Sequence, residues 1–179
     1  VRSAVVSVPE VGTFTTKQPP YVIPAGKDLA GIRSRPRFME VYTVEEQGRL
    51  SQLILPVYGK GLWSTMYGFI ALGPDLSTIT GFGFYEHGET PGLGGEIDNP
   101  VWRGKWPGKV VYDQNGELRI EVIKGEVDPG APDARHKVDG LSGATLTARG
   151  VGNLIGYWLG ENGYQPFLDE MRKSGGNLP

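Results

Sequence analysis

Residues 38–60 read FMEVYTVEEQGRLSQLILPVYGK. Apolar and polar residues alternate through FMEVYTVEE, Gln47-Gly48 supplies a turn, and LSQLILPVYG resumes strand-like composition, so the stretch predicts two strands joined as a hairpin. Pro56 lacks a backbone donor and marks an edge or a strand end. Downstream, residues 66–72 and 78–85 carry the same signature on either side of Gly73-Pro74-Asp75, a tight-turn tripeptide. Phe82 and Phe84 alternate with Gly81 and Gly83, which leaves one strand face bare for a closely packed backbone or for a flat ligand.

Further along, KVVYD and ELRIEVIKG flank Asn115-Gly116, a pair that supplies the positive φ angles of a hairpin turn, and Leu118, Ile120 and Val122 would face the core. Between these hairpins, residues 86–108 are polar and rich in Gly and Pro, and Thr90-Pro91 fits the cap and first position of a short helix. Val151, Leu154, Ile155, Trp158 and Leu159 recur at the spacing of a helix with one buried face, ended by Gly160 and Asn162-Gly163. Pro166 opens a second helix whose Phe167, Leu168 and Met171 can pack back on the sheet. The expected fold is α+β: antiparallel β-hairpins in a sheet covered by C-terminal helices. Residues 1–37 read as an irregular arm rich in Pro and Gly, with a short strand at residues 5–8, and residues 38–179 as the domain proper.

The totals exclude several chemistries. Lys and Arg number 18 against 20 Asp and Glu, a net charge of -2 without long blocks, so nucleic acid is not an expected partner. The absence of cysteine removes disulfides, thiol catalysis and cysteine-ligated clusters, and redox chemistry would need a bound cofactor. With only His87 and His136, far apart in sequence, no metal site is expected. No run reaches the roughly 18 apolar residues of a membrane span. The sequence opens on Val1 without a charged-then-apolar leader, and it reads as a soluble, processed or partial chain.

The most crowded polar turn is residues 139–147, DGLSGATLT, at the entry to the Val151 helix. First-turn amides of a helix lack internal partners and favour an anion, and a phosphate fits beside the hydroxyls of Ser142, Thr145 and Thr147, with Gly143 and Ala144 allowing close approach and Arg149 adding positive charge. An ordinary cap by Thr147, with nothing bound, explains the same residues. Gly140-Leu141-Ser142-Gly143-Ala144 also nearly matches the G-x-S-x-G elbow of serine hydrolases, but Ala144 replaces the last glycine, and neither His87 nor His136 suits the expected order of the triad.

DGLSGAT resembles the D-x-x-[ST]-G-A-T signature of proteins that carry FMN through a phosphoester to the last threonine of the motif, a bond made by a dedicated flavin transferase. The stretches GKGLWSTMYGFIAL and GFGFYEHGETPGLGGEIDNPVW resemble the C-subunit family of the Na+-translocating NADH:quinone oxidoreductases, and the related G-type component of Rnf complexes shares the shorter E-T-P-G-L-G and S-G-A-T elements. The likeness covers roughly residues 38–172. It implies an electron-transfer subunit of a membrane NADH:quinone reductase, with FMN esterified to Thr145 and a cofactor site including Asp139, Ser142, Gly143, Ala144, Thr147, Glu89, Thr90, Gly92, Leu93 and Gly94. It also implies an N-terminal membrane helix preceding this sequence, a flavin domain on the periplasmic face of the bacterial inner membrane, and the other complex subunits as partners. An Rnf-type component or a flavin-free binding domain is the alternative. The ring is expected toward the Gly81/Gly83 face and the loop of residues 89–94, with Trp63, Met66 and Tyr67 as candidate walls. No GxGxxG dinucleotide signature occurs, so NADH oxidation is assigned to another subunit.

Overall fold

The computed structural model describes residues 1–7 and 19–176. Its frame is a five-stranded antiparallel sheet in the order β1-β4-β5-β6-β7. β4 (Phe38–Glu46) and β5 (Arg49–Lys60) form the hairpin read from the sequence, with Gln47 and Gly48 both at positive φ in its turn. β6 (Thr65–Leu72) and β7 (Ile79–Glu86) extend it, and the Gly73-Pro74-Asp75 turn is closed by the Asp75 carboxylate accepting from Ser77 N, Thr78 N and Thr78 Oγ1. β1 (Arg2–Ser7) pairs with β4 along the sheet edge, beginning ahead of the strand expected at residues 5–8, whose last residue lies outside the described residues. β2 (Tyr21–Val22) and β3 (Ser34–Arg35) form a small ribbon.

Pro56 stands inside β5 rather than at its end. The ladder between β4 and β5 stops at Tyr42 and Ile54, so Pro56 lies just beyond it, where no β4 partner needs its missing N–H. Helical side chains satisfy the carbonyls exposed there: Tyr164 OH donates to Pro56 O at 2.8 Å and Trp158 Nε1 to Tyr58 O at 2.7 Å. Buried polar groups need such partners, and these two bonds tie the C-terminal helices to the sheet.

α1 (Pro100–Arg103) begins at Pro100, well past the Thr90-Pro91 pair that suggested a short helix. Asn99 is its cap, Oδ1 accepting from Val101 N at 2.9 Å, while Thr90 O closes a turn by accepting from Leu93 N and Gly95 N. The segment around Asn115-Gly116 narrows to a single Tyr112–Leu118 bridge, not a full hairpin. Beyond it, β8 (Glu121–Val122) pairs in parallel with β9 (Lys137–Val138), a non-local partner that local turn chemistry does not specify. Ile120 is buried as expected; Leu118 and Val122 are half-buried against the core.

α2 (Thr145–Trp158) lies across β5, and α3 (Gln165–Lys173) packs through Phe167, Leu168 and Met171. Val151, Leu154, Ile155 and Trp158 are all essentially inaccessible, each stabilising the pair by roughly 1.5–3 kcal/mol. The approach is close because glycines face the contact: a Cβ on Gly59 would sit 2.9 Å from Leu154 Cβ, and one on Gly150 would sit 2.5 Å from Lys60 O. Among the described residues no helix is long and apolar enough to cross a membrane.

One buried carboxylate then fixes the start of α2. Glu89, in the loop after β7, accepts from Trp63 N at 2.9 Å, Ser64 N at 3.1 Å, Leu62 N at 3.1 Å and Thr147 Oγ1 at 2.6 Å. It thereby joins the β5–β6 connection, its own loop and the first turn of α2. Burial pushes its pKa upward, but the four hydrogen bonds outweigh that and hold it below the ordinary glutamate value.

Gly150→Ala is expected to destabilise by about 1–3 kcal/mol despite a better helix propensity, because the Cβ meets backbone that cannot yield. Gly152→Ala, whose Cβ would meet only Val122 at 3.8 Å, is expected to be neutral or stabilising by up to about 1 kcal/mol. Urea melts of the two variants check the contrast. Glu89→Gln is expected to lose roughly 2–4 kcal/mol near neutral pH. Since the folded pKa is lowered, the Glu89 contribution is present above the unfolded value and lost as pH falls through the folded one. Acid titration of stability should therefore be shallower in Glu89→Gln than in the wild type, with Asp75, Asp113, Asp133 and Asp139, also lowered, contributing to the slope that remains.

Candidate functional site

The motif of residues 139–147 is a turn followed by the first three residues of α2. Gly143 adopts φ 72°, a left-handed conformation glycine accepts without strain, and it brings the backbone within 3.4 Å of Leu93 Cδ2, measured from where a Cβ would stand. Gly92 is likewise left-handed at φ 76° and turns the loop so that Leu93 projects outward. Gly94 is buried beneath: a Cβ there would lie 2.5 Å from Thr147 Oγ1 and 2.9 Å from Glu89 Oε2. The two stretches singled out in sequence, far apart along the chain, are thus pressed into one structure.

The three hydroxyls of the motif have different situations. Thr147 is buried and spends its proton on Glu89, so it neither caps the helix nor faces solvent. Ala144 occupies the cap position, and no side chain caps α2. Ser142 and Thr145 are exposed. Asp139 anchors the turn: its Oδ2 accepts from Lys105 Nζ, its Oδ1 from Val127 N at 2.8 Å, and its carbonyl from Trp102 Nε1 at 2.9 Å. Burial raises the Asp139 pKa, and the Lys105 and Val127 bonds more than reverse this, leaving it below the ordinary aspartate value.

Two clefts meet at Thr145. The larger, about 780 Å³, runs past Gly92, Trp102, Lys105, Asp139, Ser142 and Gly143; the smaller, about 370 Å³, lies between residues 120–125 and one face of α2. Both volumes fall in the usual range for small-molecule sites. Thr145 lines both, whereas Ser142 lines only the larger. Trp63 and Leu93 are exposed apolar side chains on the two loops that Glu89 joins, Trp63 through its own amide.

The remaining expectations are redistributed. Neither cleft includes Gly81 or Gly83, and the bare face at Gly83 is covered by the Arg103 guanidinium, 2.6 Å from a would-be Cβ. Met66 is fully buried core, and Tyr67 stacks on Tyr58 with ring centroids 5.6 Å apart. Thr90 and Leu93 are exposed on the loop, but the carboxylate of Glu89 is engaged by the protein's own donors. His87 holds that loop from behind: Nδ1 accepts from Glu89 N at 3.1 Å, leaving Nε2–H to donate to Asp98 at 2.8 Å. Sequence reasoning missed Lys105, Trp102 and Lys124 at the clefts, since nothing local in sequence links them to the motif.

Comparison with known proteins shows the family of the chain. The FMN-binding domain family matches residues 61–160. The C subunit of the Na(+)-translocating NADH-quinone reductase of Pseudomonas aeruginosa is 58% identical over 151 residues, covering 84% of this chain and 58% of the relative. Its counterpart in Yersinia pestis is 51% identical over 148 residues, covering 82% of this chain and 54% of the relative. The chain therefore spans little more than half the length of these relatives. Among solved structures, Shewanella oneidensis NqrC superposes with a TM-score of 0.83 at 35% identity, covering 96% of this chain and 84% of that one. The corresponding C subunit from Parabacteroides distasonis gives a TM-score of 0.66 at 29% identity, with 94% and 77% covered. From motif, fold and kinship together, the chain belongs to the FMN-binding domain family, among the C subunits of the Na+-translocating NADH-quinone reductases.

Proposed function

We propose that this domain carries FMN as a phosphoester on Thr145 and relays electrons within a membrane-bound Na+-translocating NADH-quinone reductase. The observation that carries the reading is the position of Thr145: it is the motif hydroxyl that is exposed and lines both clefts, while Thr147 is consumed by Glu89 and Ser142 borders one cleft only. The donor set fits a flavin phosphate. An exposed hydroxyl stands beside glycine-lined backbone, and Val101, Trp102 and Leu141 in the larger cleft, with exposed Leu93 beside Gly143, offer apolar contact for a ring.

Attachment is a phosphoryl transfer in which Thr145 is the nucleophile. Its Oγ forms a bond to phosphorus as an anhydride bond of a flavin-bearing pyrophosphate breaks; the leaving nucleotide departs with the electron pair, and the hydroxyl proton passes to a base of the flavin transferase. FMN supplies the electron-carrying chemistry, and the protein supplies position and electrostatics. Partners on this reading are the transferase during maturation and the other subunits of the complex in service. The family relationship also supports a membrane anchor outside the present chain and a periplasmic location for this domain.

Coexpressed with a flavin transferase, the chain is expected to be yellow after denaturation, with the FMN mass on the peptide containing Thr145. Thr145→Ala should abolish the colour while its stability in urea stays within about 0.5 kcal/mol of wild type, as for a surface substitution. FMN found on Ser142 or Thr147 instead overturns the assignment. The loaded domain should bleach with dithionite but not with NADH in stopped-flow mixing, because hydride transfer needs a nicotinamide held in a defined orientation and this chain has no dinucleotide fingerprint. Saturable bleaching by NADH alone would refute the relay.

A further inference from the structure

The two clefts at Thr145 share five residues: Lys124, Gly125, Gly140, Leu141 and Thr145. These form the ridge between them, so Lys124 and Thr145 each face both clefts. The smaller cleft is walled by an unusual face of α2. Thr145, Ala148, Arg149, Gly152 and Asn153 recur at helical spacing along it, opposite the buried Val151, Leu154, Ile155 and Trp158 stripe. Ala148 and Gly152 leave its floor open, and Arg149 stands one turn beyond Thr145 on the same side.

The charges around this ridge are unevenly committed. Lys105 is taken by Asp139, and Glu121 faces Lys137 at 3.8 Å, Lys137 also pairing with Asp133 at 2.6 Å. Lys124 and Arg149 are exposed, and among the described residues neither has a hydrogen-bond or ion-pair partner. Glu126, also exposed, borders the larger cleft only. An anion bonded to Thr145 would therefore meet two uncommitted cations at the ridge and the small cleft, with Glu121 also bordering the small cleft and Glu96, Glu126 and Asp139 bordering the larger one.

We infer that Lys124 and Arg149 form the anion subsite of this domain, holding the phosphodiester of FMN at the ridge while the remainder of the flavin occupies the larger cleft. The inference rests on the Thr145 reading and goes beyond it by assigning the residues that neutralise the phosphate. Arg149 offers a planar fork suited to two phosphate oxygens, and Lys124 offers a point charge that approaches from either cleft. Both act on the linkage through charge and position and take no part in electron transfer.

The test uses this chain, its Lys124→Ala/Arg149→Ala variant and Arg149→Lys, each incubated with purified flavin transferase and flavin adenine dinucleotide. Initial loading of Thr145 is followed by mass, and the diester is then observed by ³¹P NMR. The double variant should load about tenfold more slowly, the equivalent of losing one charge-assisted hydrogen bond. Its ³¹P resonance should move from the wild-type position, and Arg149→Lys should recover most of the rate. Should the double variant fail to fold, Arg149→Gln carries the same comparison. A wild type loaded on Thr145 with an unchanged ³¹P resonance in the variant overturns the subsite, whatever the loading rate, and leaves the Thr145 reading intact. A wild type that does not load on Thr145 overturns both.

Discussion

The carboxylate of Glu89 is the constraint on which the rest of the site depends. Three backbone amides of the β5–β6 connection and the hydroxyl of Thr147 converge on its two oxygens. An ionised carboxylate removed from water is costly unless its lone pairs are filled, and here four donors fill them. The cost of separating these groups makes the arrangement specific. Loop, sheet and helix cannot shift independently without stranding a buried charge. The glycines at 61, 94 and 150 follow from the same requirement, since a side chain at any of them would intrude on Glu89, on Thr147 or on the Lys60 carbonyl.

Diverting Thr147 into this bridge decides the character of the helix entrance. A threonine near a helix start ordinarily satisfies first-turn amides, the explanation that competes with ligand binding when only the sequence is considered. In the structure Thr147 is buried with its proton directed at Glu89, and the cap position holds an alanine. The entrance of α2 thus lacks a side-chain cap, and Thr145 stands away from the bridge on a ridge between two clefts. The fold commits Thr147 to structure and leaves Thr145 exposed.

Legibility in the sequence follows the range of the interactions. The β4–β5 hairpin, the β6–β7 pair and both C-terminal helices are readable because period, turn residues and helix stops are local signals. The segment after Asn115-Gly116 is not, because β8 takes its partner from residues 137–138 rather than from its neighbour across the turn. Thr90-Pro91 carries the right cap chemistry but is occupied by a turn around the Glu89 loop, and Asn99 caps the helix instead. The alternating Gly81 and Gly83 correctly signal close approach at one of the two positions, yet the approaching group is the Arg103 guanidinium, which nothing in the local pattern specifies. The motif residues are visible as a group; that Glu89 binds them together, and that Lys105 and Trp102 fasten Asp139, depends on contacts spanning 58, 34 and 37 residues.

The open form of the site is consistent with the covalent attachment proposed at Thr145. Tight noncovalent cofactor sites enclose most of the ligand surface, whereas here the clefts meet at the exposed Thr145, and Leu93 and Trp63 on the neighbouring loops are about half and two-thirds accessible. A flavin resting in such open clefts buries less of itself than in an enclosed pocket, so burial offsets less of the freedom lost on binding. The proposed bond to Thr145 would remove that requirement, since a tethered group stays at high local concentration whatever its intrinsic affinity. On the same proposal openness would suit a relay, since a ring that is not enclosed can be approached by redox partners. Rigidity would then be needed chiefly around Thr145, where the Glu89 bridge, the Asp139 anchor and the Gly150 contact hold the start of α2.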